Sequence, residues 1–173
     1  MRGADPSNLG LVTAIRLRPI EAADHEFVLD LNARNVELLA PMDAVRLAEL
    51  RGWTAHAQVI ERDGDRAGFV LTFGPRTAYD SENYRWFSQK FGDGFLYLDR
   101  IVLGDRFRRG GIGGAVYEEL EREATPYGRM VLEVNVEPPN DPSLRFHRAR
   151  GYVDLVELGD EHKRVVLMEK RLP

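Results

Sequence analysis

The residues whose chemistry is easiest to read lie in one run, Arg108-Arg109-Gly110-Gly111-Ile112-Gly113-Gly114. An apolar stretch with strand character precedes it, and an amphipathic stretch with helix character follows. Glycines let the backbone approach a ligand closely, and the first turn of a helix leaves N–H groups unpaired at the positive end of its dipole. That combination binds phosphate. Arg108 and Arg109 add bidentate, charge-assisted donors that lysine does not supply. The loop is not a Walker A sequence, because GxxxxGK(S/T) is absent and no lysine is near. It is not the dinucleotide fingerprint either, since reading G-x-G-x-x-G from Gly111 requires glycine where Val116 stands. The plainer alternative is a tight glycine turn with no ligand. Two arginines and the strand–helix setting favour the phosphate.

Three side chains carry acid–base chemistry. Glu133 lies among Val131, Leu132 and Val134, and a carboxylate in an apolar strand is either compensated or functional. It reads as a functional group or as the buried partner of an arginine. His147 can move protons near neutral pH, or can simply pack and bond the backbone. Asp99 shares a face with Tyr97 by strand alternation, while Arg100 is expected on the opposite face, so an Asp99–Arg100 pair is not expected. No metal site is expected: His25, His56, His147 and His162 are widely separated in the sequence, and cysteine is absent.

The elements that must position these groups follow from hydrophobic period and turn chemistry. Thr13–Arg18 alternates as a strand and Pro19 ends it. Residues 21–37 have helical spacing, with Ala23, Phe27 and Leu31 on one stripe. Asp43 is a candidate N-cap for a short helix through about Arg51. Residues 55–62 and 66–73 form a hairpin around Asp63-Gly64. Gly74–Gly94 reads as a long polar and aromatic loop. Phe95–Leu103 is a strand, 111–124 a helix and 129–136 a strand. The turn EPPNDP leads to a short helix at 142–149, and Gly151 ends it. Two strands at 152–158 and 163–170 complete the order β-α-α-β-β-β-α-β-α-β-β. This is an α/β chain with a mixed sheet of about seven strands and helices on both faces. A single domain over 13–171 follows a flexible tail, residues 1–12.

The chain has 173 residues, enough for one self-sufficient core without staples. It is 43% hydrophobic and 30% charged, with a net charge of −4. That balance excludes disorder and argues against nucleic acid as a partner. No stretch approaches a membrane helix, and the N-terminus has no apolar signal region. The expected setting is the bacterial cytoplasm, with no membrane partner.

Two blocks together resemble the GCN5-related N-acetyltransferases, or GNAT family. Arg108-x-x-Gly111-x-Gly113 matches that family's Q/R-x-x-G-x-G/A loop, a short hop after Asp99-Arg100-Ile101-Val102-Leu103. The segment LEVNVEPPNDPSLRFHRARGY is similar to the family's later block. The resemblance spans about residues 13–171 and implies the GNAT fold with acetyl-CoA as co-substrate and no metal. It places the cofactor arm between the strands of Ile101 and Glu133, along the backbone of Ile101, Val102 and Leu103. The Ile101 amide would polarise the thioester carbonyl. Arg108, Arg109, Gly110, Gly111, Ile112, Gly113 and Gly114 would hold the diphosphate. Asn140 would contact the pantetheine arm, and Ser143 would cap its helix or touch CoA. Glu133 aligns with a base used by members that acetylate protein N-termini, although its spacing to Asn140 is two residues longer here because of Pro138-Pro139. His147 stands where many members have a tyrosine that protonates the leaving thiolate.

The resemblance implies an acyltransferase that moves an acetyl group to a primary amine, on a small molecule or a peptide N-terminus, in a ternary complex. Tyr97 occupies the place of a glutamate base in other branches, and Asp99 would contact the amine or order water. The acceptor walls are expected from Asn32, Tyr84, Trp86, Tyr97 and Asp99, with Asp80, Glu82, Glu37 and Asp99 favouring a cationic amine. Trp86 and Phe87 have the alternative of anchoring their loop on the core. A non-catalytic acyl-CoA-binding or regulatory module on the same fold is the competing class. The chain is expected to be a monomer or homodimer.

Overall fold

Alternating apolar residues become seven strands: β1 (Ile15–Pro19), β2 (His56–Arg62), β3 (Asp65–Phe73), β4 (Leu96–Leu103), β5 (Arg129–Glu137), β6 (Val153–Gly159) and β7 (Arg164–Arg171). The structure is a computed structural model that describes residues 14–173. The tail at 1–12 and Thr13, where the first strand was expected to begin, lie outside the described residues. The strands form one sheet in the order β1-β2-β3-β4-β5-β7-β6. Among the described residues, only β4 and β5 are parallel neighbours. Asp63 and Gly64 have φ of 52° and 86°, the left-handed backbone of a tight hairpin turn. Pro19 ends the edge strand β1, where a missing N–H breaks no central ladder.

The helices are α1 (His25–Ala33), α2 (Ala44–Trp53), α3 (Glu82–Phe91), α4 (Ile112–Ala124) and α5 (Asp141–Ala149). Asp43 caps α2 as expected, accepting the Arg46 N–H at 2.7 Å. α1 stops at Ala33, short of the expected Glu37, and turns lead to Asp43. The long loop expected at 74–94 is corrected: its second half is α3, started by Ser81, whose Oγ accepts the Tyr84 N–H. Tyr84, Phe87 and Phe91 lie at helical spacing and pack toward the core. The element order is therefore β-α-α-β-β-α-β-α-β-α-β-β.

Each sheet face has its own core. α1, α2 and α3 cover the first, with Val28, Leu47, Leu50 and Phe87 against Phe69, Phe73 and Tyr97. α4 and α5 cover the second, with Val116, Leu120 and Leu144 against Val70, Leu96 and Leu132. β4 and β5 pair only at Leu96–Met130 and Tyr97–Val131. Beyond those residues they splay, and the gap between them joins the two faces.

Candidate active site

A β-bulge sets the geometry of β4. Leu71 of β3 lies opposite Arg100, and Thr72 lies opposite Leu98, so Asp99 is an extra residue. Alternation breaks there, and Arg100 turns to the same face as Asp99 and Tyr97. Arg100 Nε donates to Asp99 Oδ2 at 2.6 Å, which corrects the expectation that these neighbours diverge. The rest of the Arg100 guanidinium reaches α1 and the segment after it, donating from Nη1 to Asn32 Oδ1 at 3.0 Å and to the Ala40 carbonyl at 3.4 Å. Asn32 Nδ2 donates to the same carbonyl at 3.1 Å. Asn32 is fully buried. It holds the α1–α2 connection in place rather than facing the cleft, contrary to its expected contact with the acceptor.

The gap opens into a cleft of about 860 Å³ lined from both faces. On the α4/α5 side its walls include Arg108, Gly111, Gly113, Gly114, Asn140, Ser143 and His147, together with Ile101, Val102 and Leu103. Past Tyr97 the β5-facing backbone of β4 has no strand partner in the ladder. Gly111, at φ 79°, is the N-cap of α4 and brings no side-chain cap for the first N–H groups. A Cβ added to Gly113 or Gly114 would meet no atom within 4 Å. Nothing inside the protein requires glycine at these two helical positions, where each costs about 1 kcal/mol relative to alanine. Both line the cleft at the N-terminal end of α4, where unpaired N–H groups can meet an anion.

Arg108 donates from Nε to the Leu103 carbonyl at 3.1 Å and from Nη2 to Asn35 Oδ1 at 2.6 Å, across the cleft mouth. Arg109, Gly110 and Ile112 share the turn but do not line the cleft, and the Ile112 side chain lies in the second core. Asn140 caps α5 by accepting the Ser143 N–H at 3.3 Å, so the cap is Asn140 and Ser143 is a first-turn residue. The Pro138-Pro139 turn folds back, with the Asn140 N–H donating to the Asn135 carbonyl at 3.0 Å. That turn absorbs the extra spacing between Glu133 and Asn140.

His147 is buried, with Nδ1 2.7 Å from the Ser143 carbonyl and Nε2 2.7 Å from the Tyr117 hydroxyl. A carbonyl only accepts, so Nδ1 carries the hydrogen. Nε2 then accepts from Tyr117. Burial lowers the His147 pKa, which favours this neutral form.

On the other face, Glu133 accepts from the Tyr97 hydroxyl at 2.8 Å and 2.7 Å to its two oxygens. Its pKa is pushed up to about 8, first by burial and then by the negative charge of Asp99. Hydrogen bonds from Tyr97 and Asn83 pull it part of the way back. Asp99 is saturated: Tyr79 donates its hydroxyl to Oδ1 at 2.5 Å, and Arg100 holds Oδ2. Tyr97 is fully buried and meets the cleft only through Glu133.

Two expected acceptor contacts lie elsewhere. Tyr84 is buried, donating to the Gly74 carbonyl at 2.8 Å, and Trp86 packs on Phe87 and Phe91. They anchor α3, and neither lines the cleft. Sequence reasoning missed Tyr117 and Asn135, both cleft residues. Tyr117 was legible as the helix position next to the apolar stripe, whereas Asn135 was legible as the residue two past Glu133 on its strand face.

The model of the acetyltransferase (GNAT) family matches residues 20–152. Solved structures agree in fold. Ard1 from Thermoplasma volcanium superimposes with a TM-score of 0.70 at 18% identity, covering 93% of this chain and 99% of its own. Arabidopsis thaliana NAA60, solved in complex with acetyl-CoA, has a TM-score of 0.69 at 19% identity, covering 92% and 100%. The ribosomal-protein-S18-alanine N-acetyltransferase of Escherichia coli has a TM-score of 0.65 at 17% identity, covering 91% and 94%.

Proposed function

Because the chain belongs to the GNAT acetyltransferase family, we propose that it moves an acetyl group from acetyl-CoA to a primary amine, of a small molecule or a peptide N-terminus, by direct attack in a ternary complex. One observation carries this reading: a single gap through the sheet has an anion cradle on one face and a tuned carboxylate, Glu133, on the other. Two reactants entering from opposite faces meet between β4 and β5. Holding them there supplies much of the rate.

Acetyl-CoA supplies an activated thioester. The amides of Gly113 and Gly114 with Arg108 hold its diphosphate, and the free edge of Ile101–Leu103 aligns its arm. The Ile101 N–H stabilises charge developing on the carbonyl oxygen. Glu133 takes a proton from the incoming ammonium and leaves a neutral amine to attack. A base near 8 matches an α-ammonium, whose pKa is about 8, better than a lysine ε-ammonium at about 10.4. The similar protein named as a ribosomal-protein-S18-alanine N-acetyltransferase supports an amine acceptor. After attack, the C–S bond breaks and the second amine proton goes to the sulfur, whose thiolate is a tolerable leaving group at a thiol pKa of about 8.5. His147 has no hydrogen free to give while neutral, so its part is to hold the Tyr117 hydroxyl at the cleft wall.

Mass spectrometry of an amine and peptide panel incubated with acetyl-CoA tests the proposal. The expected product is a single acetyl group on an amine, nearly abolished by Glu133→Gln. Transfer only to hydroxyls would sink it.

A further inference from the structure

The acceptor side of the cleft is not the acidic surface that its sequence composition promises. Glu37 and Glu82 do not line it. Asp80 is held by Arg46 through two contacts, Nη2–Oδ1 at 2.5 Å and Nη1–Oδ2 at 3.1 Å. Asp99 is held by Arg100 and Tyr79. These charges are already compensated within the protein, so a polycation would find little to pair with. Beside Asn35, Arg46, Asn83 and Lys163, the wall has an apolar part. Leu38, Leu39 and Ala40 line the cleft from the α1–α2 connection, and Tyr79 and Val165 line it too. Leu38 is 54% exposed. Leu38 and half-buried Leu39 thus give the cleft that holds Glu133 an apolar surface that a side chain of the acceptor can cover. The segment is also built to stay there: the Ala40 carbonyl is gripped by both buried Asn32 and buried Arg100.

We propose that the acceptor is a primary amine flanked by an apolar group, which seats against Leu38, Leu39 and Tyr79 while the amine reaches Glu133. This rests on the acetyltransferase reading and narrows it to one acceptor class. Polyamines, lysine-rich termini and acidic first residues are disfavoured acceptors, because none of them fills the apolar seat.

The test uses the full chain, acetyl-CoA, spermidine, and three peptides identical except for a first residue of Leu, Lys or Asp. Acetyl-CoA binding is measured in parallel by thermal shift. The expected order is Leu-first well above the others, by about tenfold or more in kcat/KM, as a pocket that buries a side chain of this size allows. Leu38→Asp is expected to raise KM for the Leu-first peptide by about tenfold, with acetyl-CoA binding unchanged. Val153→Asp, at an exposed residue of β6, serves as the unaffected control. Preference for spermidine or the Lys-first peptide, indifference to Leu38→Asp, or no transfer to any probe by protein that binds acetyl-CoA would each overturn the acceptor assignment. Failure to bind acetyl-CoA would instead overturn the reading beneath it.

Discussion

Replacing Tyr97 by Phe removes one oxygen and little else, since the ring packs in the first core and only its hydroxyl reaches Glu133. Those bonds stabilise the ionised carboxylate. Hydrogen bonds to charged groups are worth about 1.5–3 kcal/mol, and about 1.4 kcal/mol corresponds to one pKa unit, so Glu133 is expected to rise by about one to two units. Starting from about 8, roughly a quarter of Glu133 is ionised at pH 7.5 in the wild type, falling to about 3% or 0.3% in the variant. The variant should therefore lose between about eightfold and about 75-fold in kcat/KM at pH 7.5. The loss should shrink to within about twofold at pH 10, where Glu133 is at least half ionised in both. The assay is acetylation of one α-amine peptide across pH 6.5–10. The acceptor's own ionisation is common to both proteins and cancels in their ratio. A ratio that stays constant across the pH range would refute the reasoning, because it would mean Tyr97 acts on something other than the ionisation of Glu133.

Glu133 also couples to stability. Its folded pKa, about 8, lies above its ordinary value of 4.5, so its stabilising contribution is full below 4.5 and is lost as pH rises through about 8. Glu133→Gln should accordingly melt above the wild type at pH 9, with the gap narrowing at pH 6 and closing only below about pH 4.5, by differential scanning calorimetry. Asn32→Ala strips the Ala40 carbonyl and Arg100 of a buried partner. Denaturant titration should record a loss of about 1–3 kcal/mol, and steady-state kinetics should show a raised acceptor KM with acetyl-CoA KM little changed. Gly113→Ala should stabilise α4 by up to about 1 kcal/mol, since the added Cβ meets nothing. The same methyl group should weaken acetyl-CoA in a binding titration.

Much of this arrangement was legible before the fold. Periodicity located all seven strands and four of the five helices, because apolar alternation and caps such as Asp43 act locally. The glycine run was legible because unpaired N–H groups at a helix start follow from sequence order alone. α3 was obscured: Tyr84, Phe87 and Phe91 hold helical spacing, yet Trp86, Ser88 and Gln89 between them blur the stripe. The bulge at Asp99 left no local mark, since it is a property of the pairing between β3 and β4. From it follow the Asp99–Arg100 pair and the true role of Asn32, both invisible to strand alternation. The acceptor wall was misread for a related reason. Charge counts register Asp80 and Asp99 but not the arginines that fold onto them.

The measurement that bears most directly on the central claim is the thermal stability of the protein with acetyl-CoA, CoA, ATP and NAD. At about a hundredfold excess over Kd, a ligand that binds only the native state adds about 2.7 kcal/mol. For a domain of this size that is a rise of about 5–11 °C in Tm. The account predicts such a rise with acetyl-CoA and with CoA, none with NAD, and a smaller rise in Gly113→Ala. No rise with either form of CoA would contradict it, and the glycine loop would be a turn without a ligand.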